Sequence, residues 1–264
     1  MPHLYLGTIG FSYNFWKRSF YPQRTGSKDY LSYYSAKFTT VEIDSSFYRI
    51  PSEQTVLNWK QQTSPGFKFT LKFPQLITHI KRLKNAQRET QIFLQRVNLL
   101  EEKLGPLLLQ FPPNYTSDHS QELQQYLKDL PKNNRYAVEV RSKSWLDNKD
   151  FLNFLRANRI ALVWAEGPLT PDTDKVTTDF LYLRWEGNRK KVNGTLGKIE
   201  IDRKSDLDSW ANRLAFLLGQ GKDVFGYFGK YFSGFPPSDI IHLQSRSSLK
   251  DYIGRKKNLD NKIT

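Results

Sequence analysis

Eight short apolar runs alternating with amphipathic segments predict an α/β chain whose parallel strands close into a single (β/α)8 TIM-type barrel. Three observations carry this expectation. The alternation is regular, the length of 264 residues suits one such barrel, and polar side chains recur at the ends of most apolar runs. The expected strands span 4–8, 40–44, 67–72, 107–111, 136–141, 160–165, 180–184 and 223–228. An open doubly wound sheet usually brings a Gly-rich first turn, and Gly7 to Gly10 does not supply one.

Each unit has its own signature. The first strand leads into an aromatic loop and a helix over 27–37. Strand two sets Val41 and Ile43 against Glu42 and Asp44, and Pro51-Ser52 then opens a helix over 52–62. Strand three sets Phe67, Phe69 and Leu71 against Lys68, Thr70 and Lys72. The longest helix is expected over 85–104, with Ile92, Phe93, Val97, Leu100 and Leu104 on one face and Gly105-Pro106 as its stop. Strand four ends in Gln110, and Ser117 starts a helix over 117–129.

In strand five Val138 and Val140 point one way while Glu139 and Arg141 share the other face, because side chains at i and i+2 of a strand align. A helix over 148–158 follows. Strand six leads through Glu166 into an irregular crossover over 167–177, so the sixth and seventh units depart from regularity. Strand seven opposes Tyr182 and Arg184 to Leu181 and Leu183, and precedes a helix over 205–220. Strand eight runs into Gly229-Lys230, and a last helix begins near Pro237. The barrel domain is expected over 1–253, with 254–264 a basic, polar and frayed tail.

Composition narrows the chemistry. Lys and Arg outnumber Asp and Glu by 40 to 26, a net charge of +14, which attracts polyanions. The chain has no cysteine, which excludes disulfides and thiolate metal sites. No leader pattern and no apolar run of the ~20 residues that span a bilayer is present, so no membrane partner and a cytoplasmic protein are expected.

Several motifs run from end to end: Gly7-Thr8-x-Gly10-x-Ser12-Tyr13-x-x-Trp16 with Phe20-Tyr21-Pro22, Val41-Glu42-Ile43-Asp44-Ser45-Ser46-Phe47-Tyr48-x-x-Pro51, and Phe69-x-x-Lys72 with Thr78-His79. Leu109-Gln110-Phe111-Pro112-Pro113, Val138-Glu139-Val140-Arg141-x-x-Ser144-Trp145 and Tyr182-Leu183-Arg184 complete the series. In this order they resemble the YecE-like family, domain of unknown function seventy-two. The resemblance implies a TIM-barrel-like fold. A proposed relationship of such proteins to the endonuclease IV group implies nucleic-acid processing. Relatives usually carry His-Gly after strand seven and Asn-Asn-His after strand eight, where Trp185-Glu186-Gly187 and Gly229-Lys230-Tyr231 stand here.

Active sites of barrels lie at the C-terminal strand ends, so the repeated polar endings predict a site there. Lys72, Arg141, Arg184 and Lys230 are assigned to phosphate, with Glu139 or Glu42 as general base or metal ligand. His79, Gln110, Tyr13 and Trp145 complete the expected binding residues. The competing arrangement is an internal salt-bridge network, Glu139 with Arg141 and Glu42 with Lys72 and Arg184. No cofactor is required. A Mg or Mn ion could be held by Glu42, Asp44, Glu139 and Glu166, whereas four histidines are too few for a trinuclear zinc site.

Glu42 and Glu139 could also form a glycosidase pair, but surrounding cations would depress the acid. Phosphate binding is expected at 187–198 and at Gly229-Lys230, where glycines and bases combine. In the loop after strand one, Trp16, Phe20 and Tyr21 read as a hydrophobic plug. The expected function is therefore binding of a phosphorylated ligand, nucleic acid first, with phosphodiester hydrolysis. The alternatives are a non-catalytic nucleic-acid binder, or an enzyme acting on a small sugar or sugar phosphate.

Overall fold

A computed structural model describes residues 1–253, so the tail expected beyond them lies outside the described residues. Nine strands and eight α-helices alternate among these residues. The strands are β1 (Leu4–Thr8), β2 (Thr40–Ile43), β3 (Lys68–Lys72), β4 (Leu104–Gln110), β5 (Tyr136–Glu139), β6 (Ala161–Leu162), β7 (Trp164–Glu166), β8 (Phe180–Gly187) and β9 (Asp223–Tyr231). The helices are α1 (Tyr30–Lys37), α2 (Glu53–Gln61), α3 (Gln87–Asn98), α4 (Ser120–Asp129), α5 (Ser144–Asp147), α6 (Lys149–Ala157), α7 (Lys204–Gly219) and α8 (Pro236–Gln244).

All ladders are parallel, in agreement with the α/β expectation. They form two sheets, β2-β3-β4-β5-β6 and β1-β9-β8-β7, neither closed on itself. The single closed barrel expected from the sequence is thus not what the ladders draw. One cause is local: the expected sixth strand breaks at Val163, so that β6 pairs with β5 and β7 pairs with β8. Between β1 and β2 there is one isolated bridge, Ile9 to Glu42.

The two sheets meet through their inner faces. Leu108, Ala137 and Ala161 of one, with Val163 at the break between them, pack with Phe180, Tyr182, Phe225 and Tyr227 of the other. The Tyr227 hydroxyl lies 3.0 Å from Thr40 Oγ1 and 2.6 Å from Thr70 Oγ1, tying β9 to β2 and β3. The opposite phase, including Val41, Ile43, Leu71, Val138 and Val140, joins the larger core beneath the helices. Val138 and Val140 therefore face outward, as expected.

Two helices start where the sequence marks them, whereas α1 and α4 begin at Tyr30 and Ser120, each behind a 3-10 turn (Ser27–Asp29 and Ser117–His119) that occupies the expected start. Ser52 and Asn148 cap α2 and α6, accepting from the backbone N–H of Thr55 and Phe151. The long helix expected over 85–104 is shorter. It ends at Asn98, because Glu101 takes a left-handed φ of 51° and a 3-10 turn (Glu101–Lys103) intervenes. Leu104, Gly105 and Pro106 consequently open β4 rather than closing a helix. Strands β8 and β9 run past their expected ends to Gly187 and Tyr231, with a register shift between Trp185 and Gly187. Gly187 has φ +71°, and a Cβ there would lie 2.0 Å from the Tyr231 carbonyl oxygen, so the bulge depends on glycine. Between β7 and β8 no helix forms, in line with the irregular crossover expected over 167–177. No helix among the described residues is long and apolar enough to cross a membrane.

Candidate functional site

Side chains from β2, β4, β5 and β8 converge at the C-terminal strand ends around Arg184. Its guanidinium Nε and Nη2 donate to the two oxygens of Glu42 at 3.1 and 2.9 Å, a forked pair across the two sheets. Nη1 donates to Glu139 Oε2 at 2.6 Å and also reaches Glu186. Tyr182 donates its hydroxyl hydrogen to Glu42 Oε2 at 2.7 Å. Gln110 Nε2 and Arg141 Nε donate to Glu139 Oε1 at 2.6 and 3.2 Å.

Strand geometry produces this. Tyr182, Arg184 and Glu186 are i, i+2 and i+4 of one strand, and all point to the inner side. Arg184 is 3% exposed, Glu42 0% and Glu139 1%, so the centre of the network is sealed from bulk water, with Arg141 and Glu186 at its partly exposed edge. Burial alone would raise the Glu139 carboxyl, but Arg184, Arg141 and Lys72 outweigh it and hold it at about 2. For Glu42, with fewer cations near it, the loss of water wins over Arg184 and its carboxyl is raised.

Lys72 stands beside this floor. Its ammonium lies 3.9 Å over the Phe47 ring and 3.5 Å from Asp44 Oδ1, so its partner is Asp44 rather than the expected Glu42. Burial lowers its pKa, with Asp44 opposing. Arg141 is part-exposed and faces Glu186 at 3.5 Å.

His79 sits on a π-helical turn (Leu76–Ile80), with Nδ1 2.9 Å from Thr78 Oγ1 and its ring edge on Phe47. Burial, then Lys72 and Arg141, lower its pKa to about 4, which leaves the imidazole neutral at pH 7. Arg82, Leu83 and Asn85 follow with positive φ, an irregular and strained run of the kind found beside functional sites. Tyr13 donates its hydroxyl hydrogen to the Ile9 carbonyl at 2.7 Å, and Lys230 lies 5.9 Å over its ring.

Glu42, Lys72, Gln110, Glu139, Arg141 and Arg184 thus come together, with His79, Tyr13 and Lys230 around them. Trp145 does not join them. It is wholly buried, donates Nε1–H to the Tyr115 carbonyl at 2.7 Å and packs on Phe151, so it anchors the α5 turn instead of facing a ligand. The metal set also fails to assemble. Glu166 is engaged by Arg203 and by Trp210 Nε1, and among the described residues no group of three or more His, Asp or Glu could hold a metal ion.

In the expected phosphate loop after β8, the N–H groups of Asn193 and Gly194 already donate to the Glu200 carboxylate at 2.8 and 2.7 Å. That cradle is filled by the chain's own anion. Trp16, Phe20 and Tyr21 form the expected plug, stacked against Tyr30 and Phe38. Sequence reasoning missed Glu186, Phe47 and Tyr182 as members of the site. The i, i+2 spacing from Arg184 was the signal for Glu186.

Comparison with known proteins sets this arrangement among relatives. The family model described as "Protein of unknown function DUF72" matches residues 5–259. The UPF0759 protein YunF of Bacillus subtilis strain 168 is 28% identical over 262 residues, covering 88% of this chain and 90% of that protein. The UPF0759 protein YecE of Escherichia coli strain K12 is 33% identical over 111 residues, and the matched stretch spans 42% of this chain and only 41% of that relative's length.

A crystal structure of a DUF72 family protein from Thermotoga maritima superposes with a TM-score of 0.74 at 26% identity, covering 94% of this chain and 99% of that one. Another, from Enterococcus faecalis, shares the fold at a TM-score of 0.70 and 21% identity, over 92% and 97% of the two chains. The match along nearly the whole sequence places this chain in the DUF72 family of proteins of unknown function.

Proposed function

We propose that the C-terminal strand ends bind an extended phosphorylated polyanion, nucleic acid before any other. One observation carries the reading: the floor is charge-balanced and the surplus cations stand on the rim. Lys72, Arg141 and Arg184 are paired with Asp44, Glu139, Glu42 and Glu186, while Lys230 lies over the Tyr13, Phe15 and Tyr231 rings with no ion pair among the described residues. Arg189, Lys190, Lys191 and Lys198 lie exposed on the loop after β8, none of them in an ion pair among the described residues, and Arg189 stacks on Tyr231. Tyr48, 70% exposed after β2, offers a ring for stacking. Cations spread along a rim suit a ligand whose phosphates are also spread, whereas a single phosphate calls for uncompensated charge in the floor.

We assign binding rather than hydrolysis. Every oxygen of Glu42 and Glu139 is already engaged, and the Glu139 carboxyl, held at about 2, is a weak proton acceptor at pH 7. Fluorescence anisotropy of a labelled single-stranded oligonucleotide across a salt series tests the reading. Affinity should fall steeply with salt, and Lys190→Gln with Lys191→Gln should flatten the log–log slope by ~0.7 for each phosphate no longer neutralised. Absent or salt-insensitive binding would contradict it, and a shallow response to a small sugar phosphate alone would favour the small-substrate alternative.

On this reading the two sheets wrap into one eight-membered ring with the site at its mouth. Support for closure comes from the Ile9–Glu42 bridge, the Gly10 N–H to Glu42 carbonyl bond of 2.8 Å, and the single segment 161–166 shared by both sheets. A cytoplasmic setting fits a chain without cysteine.

A further inference from the structure

Beside the C-terminal cup, with Arg184 common to both, a cleft of about 480 Å³ opens where the helix between β7 and β8 is missing. Its walls are β7 and β8, the crossover over 167–177, and α7. Its volume lies within the ~300–1,000 Å³ usual for small-molecule sites. Three of the chain's six tryptophans, Trp164, Trp185 and Trp210, line it.

The polar groups of the cleft divide into satisfied and unsatisfied. Trp164 Nε1–H donates to the Lys175 carbonyl at 3.0 Å, and Trp210 Nε1–H donates to Glu166 at 3.2 Å. Glu166 and Asp206 share Arg203, the second at 3.0 Å. Two charges are left over. The Arg213 guanidinium, on α7, stacks 4.4 Å from the Trp164 ring centroid and 5.1 Å from that of Trp210, and has no carboxylate partner among the described residues. Asp172, on the crossover wall, likewise has no ion pair there.

One charge of each sign without an ion-pair partner, on different walls of a cleft lined by indole rings, is the complement of a small zwitterion with a flat apolar part. The geometry points to this cleft as a binding site for a free aromatic amino acid, its carboxylate on Arg213, its ammonium toward Asp172 and its ring against the tryptophans. The cleft shares Arg184 with the C-terminal cup, but the assignment does not rest on polyanion binding there.

Tryptophan fluorescence reads the site directly, since half of the chain's indoles line it. The probe is L-phenylalanine, titrated beside hydrocinnamate, which lacks the ammonium, and phenethylamine, which lacks the carboxylate. A saturable change is expected with phenylalanine, and each truncated compound should bind about tenfold more weakly or worse, the loss of one charged hydrogen bond. Arg213→Gln should erase the preference over phenethylamine, and Asp172→Asn the preference over hydrocinnamate. Both residues are exposed, so folding should survive the changes. Arg141→Gln, in the cup, should leave the titration unchanged whether or not oligonucleotide binds there. Absence of a saturable change, equal or tighter binding of a truncated compound, or indifference to both cleft variants would overturn the assignment.

Discussion

Arg184 holds two buried carboxylates from different sheets, and its removal leaves Glu42 and Glu139 facing each other without it. Breaking a buried pair by deleting one partner costs about 3–5 kcal/mol, because the other charge stays behind unsolvated. Arg184→Met should therefore lower unfolding stability by about that amount in urea at pH 7. Unchanged stability would mean that the three charges are not sealed together. At this scale much of the site is legible in the sequence. Strand alternation by itself puts Glu139 and Arg141 on one face, and gives Glu42 and Arg184 the inward phase of their own strands. Trp145 is not legible, because a tryptophan at a turn carries the same sequence signal whether its ring points out or, as here, into Phe151 and Tyr115. The pairing of Lys72 with Asp44 rather than Glu42 is also beyond sequence, since both acids lie near and Arg184 decides which is taken.

Among the elements, α8 carries a titrating group of its own. Asp239 is buried and accepts a 2.6 Å hydrogen bond from Ser233 Oγ, which follows β9. Burial raises its carboxyl to about 7, with Ser233 and Arg203 opposing. A carboxyl raised in the fold favours the native state when protonated. Its contribution is complete below the unfolded value near 3.8 and is lost as pH rises through about 7. Wild type should accordingly weaken relative to Asp239→Asn between about pH 4 and about pH 7, followed by denaturation at each pH. A constant difference would show that Asp239 does not titrate there. Apolar alternation reveals that the elements exist, but not where they end. The shortening of α3 depends on a single left-handed residue, Glu101, and the lengthening of β8 and β9 on a bulge that requires Gly187. Neither position announces its backbone angle in its neighbours.

For the whole molecule, the joint between the sheets is the most vulnerable point. Gly7 lies against β2 so closely that a Cβ would sit 2.1 Å from the Thr40 carbonyl oxygen. Gly7→Ala should push β1 from β2 and destabilise by about 1–3 kcal/mol, the usual range for such backbone conflicts. Tolerance of alanine would place the strands further apart. Alternation and length make the parallel α/β architecture legible, but the division into two ladders is not, because a break at Val163 is a matter of hydrogen-bond register and not of residue type.

Where a polyanion lands is the question that tests the functional account most directly. Hydrogen–deuterium exchange with and without a single-stranded oligonucleotide would map it. Protection is predicted at residues 76–85 and 187–198, on the rim of the cup, and should fade as salt is raised. Protection confined to other faces, or none at all, would contradict the account.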